Sequence, residues 1–201
     1  PANTWSNLAF ILVGIYILRD TKTKNHQTLK LLGPTVIFLG FCSLIYHASY
    51  TFFLQIFDFV GMFALIGILL LFNLRRLNLI EKEKQLPIFV GGITFLTGLF
   101  LFFYWASIPM QSIVVFLIFA LVGTELLARK ASKNKPKISY FIKALGALSI
   151  AATFTVLDVT RTMCFPNNHW FQGHALWHVF NSVTIYYIYK YYEQFSLDDQ
   201  I

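Results

Sequence analysis

The stretch Gln85–Thr124, QLPIFVGGITFLTGLFLFFYWASIPMQSIVVFLIFALVGT, contains 40 consecutive residues without a formal charge. A transmembrane α-helix needs about 20 predominantly apolar residues, so this stretch is long enough to cross a bilayer twice. The 201-residue chain has the same character throughout, since 57% of it is hydrophobic and 12% is charged, against about 25% charged in soluble domains. We therefore predict an all-α, polytopic membrane protein. This composition excludes disordered, collagen-like and disulfide-scaffold classes.

Apolar runs divide the chain into seven predicted transmembrane helices within a single domain, residues 1–201. The first run is short, and the chain begins at Pro1 rather than at a methionine. An amino-terminal segment is therefore expected to precede residue 1. The predicted spans are Thr4–Leu18, Leu31–Tyr46, Phe52–Leu74, Leu86–Trp105, Pro109–Ala128, Ile138–Leu157 and Trp170–Tyr189.

Lysine and arginine are distributed very unequally between the predicted connections. Of the 16 basic residues, Arg161 alone falls on one side of the membrane. Because cytoplasmic loops are enriched in Lys and Arg, we predict that the amino end lies outside and the carboxyl end lies in the cytoplasm. The net charge of +7 is then explained by topology signals and contacts with anionic lipids of the bilayer, and no nucleic-acid partner is expected. The other basic residues are Arg19, Lys22, Lys24, Lys30, Arg75, Arg76, Lys82, Lys84, Arg129, Lys130, Lys133, Lys135, Lys137, Lys143 and Lys190.

Ionisable side chains inside membrane spans are energetically costly and mark function by default. His47 ends the second predicted span, Asp58 lies early in the third, and His174 and His178 lie early in the seventh. All four therefore lie within about two helical turns of the predicted outer boundary. The two histidines of the last span are four residues apart, so both rings lie on one helix face, as do Ser43 and His47.

Three histidines at one depth match a catalytic zinc site, which has three protein ligands and an open position for water. Zinc-bound water with a pKa near 7 is a usable nucleophile. Asp58 is then a candidate general base or a group that orients a histidine, and Ser43 is a candidate donor to a developing oxyanion. A histidine in a membrane helix also often serves only as an interhelical hydrogen-bond partner. His26 and His169 are expected at the surface, with His169 a weak spare ligand.

Other polar residues and the glycines are assigned structural roles. The i,i+3 spacing predicts an ion pair between Asp158 and Arg161. Glu125 lies at the cytoplasmic end of its span beside Arg129, at i,i+4, and is predicted to be either a snorkelling or a paired acid. Small residues inside membrane helices let neighbouring helices approach closely. The glycines expected in this role are Gly91, Gly92, Gly98, Gly123 and Gly146.

Four motifs together resemble the alkaline ceramidase family over essentially the whole chain. They are Asn3-Thr4-Trp5-Ser6-Asn7, Ser43-x3-His47, Asp58, and His174-x3-His178. The family belongs to a seven-helix hydrolase superfamily that includes adiponectin-type receptors and Per1-like GPI-remodelling proteins. The resemblance implies that the three histidines bind Zn²⁺ and that the serine and the aspartate flank the metal-bound water. It also implies hydrolysis of the ceramide amide into a sphingoid base and a free fatty acid.

The resemblance extends to location and to a second cofactor. Gln172–His178 is most similar to bacterial members, which implies a bacterial inner membrane with the active site near its outer face. Family members carry an acidic, cysteine-containing stretch before the Asn-Thr-x-Ser-Asn motif, which in some binds Ca²⁺, and such ligands would lie before Pro1. Cys164, in a predicted outer loop, is either a free thiol or paired with a cysteine of that stretch.

Two other functions stay open. Ester hydrolysis needs nearly the same residues as amide hydrolysis, so a related lipid esterase or phospholipase is the first alternative. The same three ligands with the fourth position blocked would give a non-enzymatic, receptor-like zinc membrane protein, which is the second.

Overall fold

The computed structural model describes residues 1–24, 29–132, 136–163, 168 and 170–195. Within these ranges the chain forms seven long helices and one short one, and contains no strand. His26, Cys164 and His169 lie outside the described residues. The helices are α1 (Ala2–Trp5), α2 (Leu8–Thr23), α3 (Leu32–Ser49), α4 (Phe52–Arg76), α5 (Gln85–Trp105), α6 (Gln111–Ala131), α7 (Ser139–Val159) and α8 (Gly173–Tyr192), with a 3₁₀ turn at Lys82–Lys84 before α5.

Five of these helices are long and apolar enough to cross a membrane, namely α3, α4, α5 with its preceding 3₁₀ turn, α6 and α7. Helix α2 has 16 residues, fewer than the roughly 20 that span the hydrocarbon core. Helix α8 has 20 residues, but its sequence includes two histidines, an asparagine and several tyrosines. The all-α, multi-pass membrane class is confirmed. A crossing by α2 and α8 and the orientation of the termini stay predictions.

The chain divides into two compact units. The first comprises Pro1–Gln55 and Pro136–Ile201, and therefore contains α1, α2, α3, α7 and α8. The second, Ile56–Lys135, contains most of α4 together with α5 and α6. All three clustered histidines described below belong to the first unit.

The first long helix begins later than predicted. Helix α1 ends at Trp5, and α2 begins only at Leu8. Between them, Asn7 Nδ2 donates to the Asn3 carbonyl at 2.7 Å, and Ser6 Oγ donates to the same carbonyl at 3.2 Å. Side chains that bond to nearby backbone groups compete with helical hydrogen bonding. The interruption is therefore the product of the Asn-Thr-x-Ser-Asn sequence itself.

Helices α2 and α3 pack with their backbones in contact at two glycines. A Cβ added at Gly33 would lie 2.7 Å from the Leu18 amide nitrogen, and one at Gly14 would lie 2.9 Å from the Ile37 amide nitrogen. Because neither obstacle is a flexible side chain, only glycine permits this approach. The glycines expected to mediate close packing have no atom within 4 Å of an added Cβ, so that prediction is wrong. They are Gly91, Gly92, Gly98, Gly123 and Gly146.

A cluster of paired charges joins the carboxyl ends of α2 and α8 in the first unit. Asp20 accepts hydrogen bonds from Tyr189 Oη at 2.6 Å and from Lys24 Nζ at 2.9 Å. Glu193 accepts hydrogen bonds from Lys24 and, at 2.8 Å, from Lys190. The carboxylates of Glu193 and then of Asp20 raise the pKa of the Lys24 ammonium group. Each of the two cations therefore contacts an anion, and the helix ends are held together.

A buried ion pair joins α4 and α6 in the second unit. Arg76 Nη1 donates to Glu125 Oε2 at 2.5 Å, and the two side chains are 5% and 1% exposed. Nearby, the buried Asn73 side chain donates to Thr124 Oγ1 at 3.1 Å. Glu125 is therefore a paired acid, which is one of the two roles predicted for it, and Arg76 pairs with it from α4. The spacing within one helix does not report a partner from another helix.

Candidate metal centre

Three histidine side chains converge in the first unit. His47 lies in the last turn of α3, and His174 and His178 lie in the first two turns of α8. One potential ligand atom of each lies within 4.8 Å of those of the other two. His47 and His178 are buried, whereas the His174 side chain is 27% exposed. The cluster is therefore accessible at His174 and enclosed elsewhere.

The spacing of the ring nitrogens fits a metal ion. Tetrahedral zinc with Zn–N bonds of about 2.0–2.1 Å separates two nitrogen ligands by roughly 3.4 Å. In the structure, His47 Nε2 and His174 Nε2 are 3.3 Å apart. The ring centroids of the three histidines are 4.7–4.8 Å apart in each pair. Three imidazoles with this spacing are positioned to bind one ion, and imidazole is a donor that suits zinc.

The amino-terminal segment holds the end of α3 that carries His47. Thr4 Oγ1 donates to the His47 carbonyl at 3.0 Å, and Asn3 Nδ2 donates to Tyr50 Oη at 3.3 Å. Helix α3 ends one residue before Tyr50, whose φ of 52° lies in the left-handed region. The segment therefore satisfies a carbonyl that the end of a helix leaves without an intrahelical partner.

The start of α8 is held against the end of α7 by a close backbone contact. A Cβ added at Gly173 would lie 2.9 Å from the Phe154 carbonyl oxygen and 3.0 Å from Asp158 Cβ. Glycine at this position lets the first turn of α8 pack directly on α7. The following residue is His174, so this contact also determines where the His174 ring lies.

The outward-facing nitrogens of two rings have polar neighbours. Ser6 Oγ lies 2.8 Å from His178 Nδ1, and Asp158 Oδ2 lies 3.9 Å from His174 Nδ1. The buried His47 Nδ1 has no hydrogen-bond partner among the described residues. Metal-bound histidines usually donate their second nitrogen's hydrogen to a carboxylate, a backbone carbonyl or a water. The Ser6 hydroxyl lies at hydrogen-bonding distance from His178, whereas the Asp158 carboxylate faces His174 at a distance longer than a hydrogen bond.

The neighbour of Asp158 differs from the predicted one. The i,i+3 spacing predicts a pair with Arg161, but α7 ends at Val159, and Arg161 has a φ of 59°. Beyond the helix end, i,i+3 side chains no longer share a face. The carboxylate lies beside His174 instead, and the Arg161 backbone amide donates to the Asp158 backbone carbonyl at 2.9 Å.

A comparison with models of protein families identifies the family to which the chain belongs. The family model for ceramidases matches residues 1–200. The chain belongs to the ceramidase family. The resemblance to alkaline ceramidases is thereby confirmed over nearly the whole sequence. A comparison with curated proteins gave no significant match. Membership of the ceramidase family implies a hydrolase of lipid metabolism that acts on ceramide.

The two expected catalytic side chains of this ceramidase are both buried. Ser43 lies in α3, one turn before His47 and on the same helix face. Asp58 lies in the second turn of α4, eleven residues after His47 in the chain, and belongs to the second unit. The structure thus brings the three histidines together and places Ser43 on the helix that carries one of them. The roles of the five residues in binding and catalysis stay predictions.

Sequence reasoning did not assign a role to Ser6, and it gave Asp158 a different neighbour. Ser6 lies within the Asn3–Asn7 motif, one of the four motifs on which the resemblance rests, but the sequence alone suggested no chemical role for it. Asp158 had a competing explanation in a nearby arginine. Neither contact lies within one helix: Ser6 and His178 are 172 residues apart in the chain, and Asp158 and His174 come from α7 and α8.

Proposed function

We propose that this ceramidase is a zinc-dependent amide hydrolase of the membrane. It cleaves ceramide or a related N-acyl lipid into a sphingoid base and a free fatty acid. The observation that carries the proposal is the convergence of three imidazoles, two of them buried, within one unit of a chain of this family. The 3.3 Å separation of two ring nitrogens supports an ion of the size and geometry of zinc.

His47, His174 and His178 would hold the metal through one nitrogen each. Bound zinc supplies a Lewis acid and lowers the pKa of water to near 7. The protein encloses the metal site at His47 and His178, because both of these ligands are buried. The site is accessible at His174, because this side chain is 27% exposed. A set of three ligands leaves one position for the reacting groups, as in catalytic rather than structural zinc sites.

Ser43 and Asp58 are the proposed catalytic residues. The Ser43 hydroxyl would donate a hydrogen bond to the oxygen of the amide carbonyl as negative charge develops on it. The Asp58 carboxylate would accept a proton from the attacking water and return it to the amine nitrogen as the C–N bond breaks and the new C–O bond forms. The burial of both side chains supports these roles, since polar and ionisable groups inside membrane helices are costly and commonly functional.

Aromatic side chains next to the histidines are proposed to contact the lipid. The Tyr46 and Tyr50 rings lie 4.8 Å and 5.6 Å from the His47 ring. Phe53, in the first turn of α4, is exposed, and Phe52 and Trp177 are half-buried. Large apolar side chains beside a polar site match a substrate that carries acyl chains next to an amide.

We further propose that the site lies near the outer face of a bacterial inner membrane, with the amino end outside. The support is the distribution of basic residues, of which Arg161 alone falls in a predicted outer connection. Lipids of the outer leaflet would then be the preferred substrates.

Variants of the two catalytic residues test the mechanism in detergent-purified protein. Asp58→Asn is expected to retain zinc while kcat for ceramide falls by about 10²–10⁴-fold, the scale of general-base loss. Ser43→Ala is expected to lower kcat by about 10²–10³-fold. Ser49→Ala is the matched control, because Ser49 is an exposed serine at the end of the same helix. Unchanged turnover with retained zinc in both variants would make Asp58 and Ser43 packing residues.

A matched pair of substrates tests the bond specificity. Ceramide and an analogue with an ester in place of the amide, with identical chains, are compared on the zinc-loaded protein. We expect the amide to be hydrolysed with the higher kcat/KM. Preference for the ester would identify a lipid esterase, and turnover of neither would identify a non-enzymatic zinc protein.

A further inference from the structure

The Ser6 side chain links the amino-terminal segment to the His178 ring. Its oxygen lies 2.8 Å from His178 Nδ1 and 3.2 Å from the Asn3 carbonyl oxygen. A serine hydroxyl has one proton to donate, and a carbonyl can only accept. A Ser6 hydroxyl that donates to the Asn3 carbonyl presents its oxygen to His178 Nδ1 as an acceptor.

The Asn3 carbonyl that receives the Ser6 hydroxyl is itself held in place. Asn7 Nδ2 donates to this carbonyl at 2.7 Å, and the Asn7 side chain is fully buried. With the Ser6 proton directed to Asn3, the hydrogen of the 2.8 Å contact comes from the His178 ring, which places it on Nδ1.

The protonation of one ring nitrogen determines what the other can do. A neutral imidazole has a single N–H, so protonated Nδ1 leaves the lone pair on Nε2. A metal ligand needs that lone pair on the nitrogen that faces the ion. The opposite tautomer would put a proton on Nε2, and His178 could then bind no ion through it.

We propose that Ser6 is a positioning residue, which holds His178 in the Nδ1–H tautomer and presents Nε2 to the metal. The inference rests on the proposed function, because it assigns His178 as a ligand. The proposal gives the Asn3–Asn7 segment a chemical role. Asn7 holds the Asn3 carbonyl in place, and that carbonyl orients the Ser6 hydroxyl. The hydroxyl in turn orients the His178 imidazole. Partners of this kind orient the ring and raise its basicity, and their loss typically costs 10–100-fold in metal affinity.

Three variants test the proposal through zinc affinity, measured by competition with a chelator on the detergent-purified full chain. Ser6→Ala removes the acceptor and is expected to weaken zinc binding by about 10–100-fold. Ser6→Thr keeps the hydroxyl and is expected to bind zinc within a few-fold of the wild type. Ser149→Ala is the matched control, because it removes an exposed serine hydroxyl of the same unit that bonds a backbone carbonyl rather than a ring nitrogen. Unchanged affinity in Ser6→Ala, or an equal loss in Ser149→Ala, would overturn the proposal.

Nitrogen-15 NMR of the histidine side chains reads the tautomer directly in the metal-free wild type. The His178 signals are expected to be those of a protonated Nδ1 and an unprotonated Nε2, and the reverse pattern would overturn the proposal. This measurement tests the tautomer of His178 even if the Ser6→Ala variant does not fold. It also separates the two hypotheses, because a wild-type protein that binds no zinc contradicts the proposed function while its tautomer remains measurable.

Discussion

Replacing Gly173 by alanine is a sharp test of how the fold positions the metal centre. The added Cβ would lie 2.9 Å from the Phe154 carbonyl oxygen, whereas ordinary contacts of a Cβ begin at 3.4 Å. The first turn of α8 must therefore move away from α7 by about 0.5 Å, since the obstacle is backbone, and overpacking of this kind costs about 1–3 kcal/mol. His174 is the next residue and moves with it.

The displacement exceeds what a metal site tolerates. Ligand distances in such sites hold within about 0.2 Å, and a misplacement of 1 Å costs about 100-fold in activity. A shift of half that size predicts a loss of about tenfold in both zinc affinity and ceramide turnover for Gly173→Ala. Zinc affinity is measured by chelator competition and turnover by release of the fatty acid.

The matched control is Gly146→Ala, in α7 of the same unit, where no atom lies within 4 Å of the added Cβ. Alanine is favoured over glycine in a helix by about 1 kcal/mol, so this variant is expected to keep its zinc affinity and activity and to unfold at an equal or higher temperature. Wild-type zinc affinity and turnover in Gly173→Ala would refute the claim that the close contact between α7 and α8 positions His174.

Two further predictions address the second unit and the topology. Glu125→Gln removes the carboxylate that pairs with the buried Arg76 guanidinium and is expected to destabilise the protein by about 3–5 kcal/mol, seen as unfolding at a lower temperature in detergent. Replacing both partners by leucine should recover most of that loss, and unfolding like the wild type would make the pair energetically unimportant. In a background without the 2 native cysteines, Ser107→Cys is expected to react with a membrane-impermeant maleimide in intact cells, and Ser132→Cys is not; the reverse pattern would invert the molecule and place the site at the cytoplasmic leaflet.

Most of the helical framework follows directly from the apolar runs. The predicted span Leu86–Trp105 corresponds to α5 at Gln85–Trp105, and Phe52–Leu74 corresponds to α4 at Phe52–Arg76. An uninterrupted apolar run permits few alternatives to a helix of membrane length. The break before Leu8 was missed because it arises from side-chain bonds to the backbone rather than from a change in hydrophobicity.

Packing and partner choice were less predictable than the helices. Close helix contacts occur at Gly14 and Gly33, and glycines that looked equivalent in sequence face open space. The i,i+4 spacing predicted that His174 and His178 share a face, because a helix fixes that geometry by itself, and the common depth of the three histidines in the predicted spans added His47 to the cluster. The contact of Ser6 with His178 depends on tertiary packing that no local pattern encodes.

The central claim is that ceramide hydrolysis by this chain depends on one metal ion held by three histidines. Elemental analysis of the active, detergent-purified protein, with ceramide turnover measured on the same sample, tests it most directly. We expect about one zinc per chain, and parallel loss of zinc and turnover when His47, His174 or His178 is replaced by alanine. Full turnover from protein that contains no bound metal would contradict the claim.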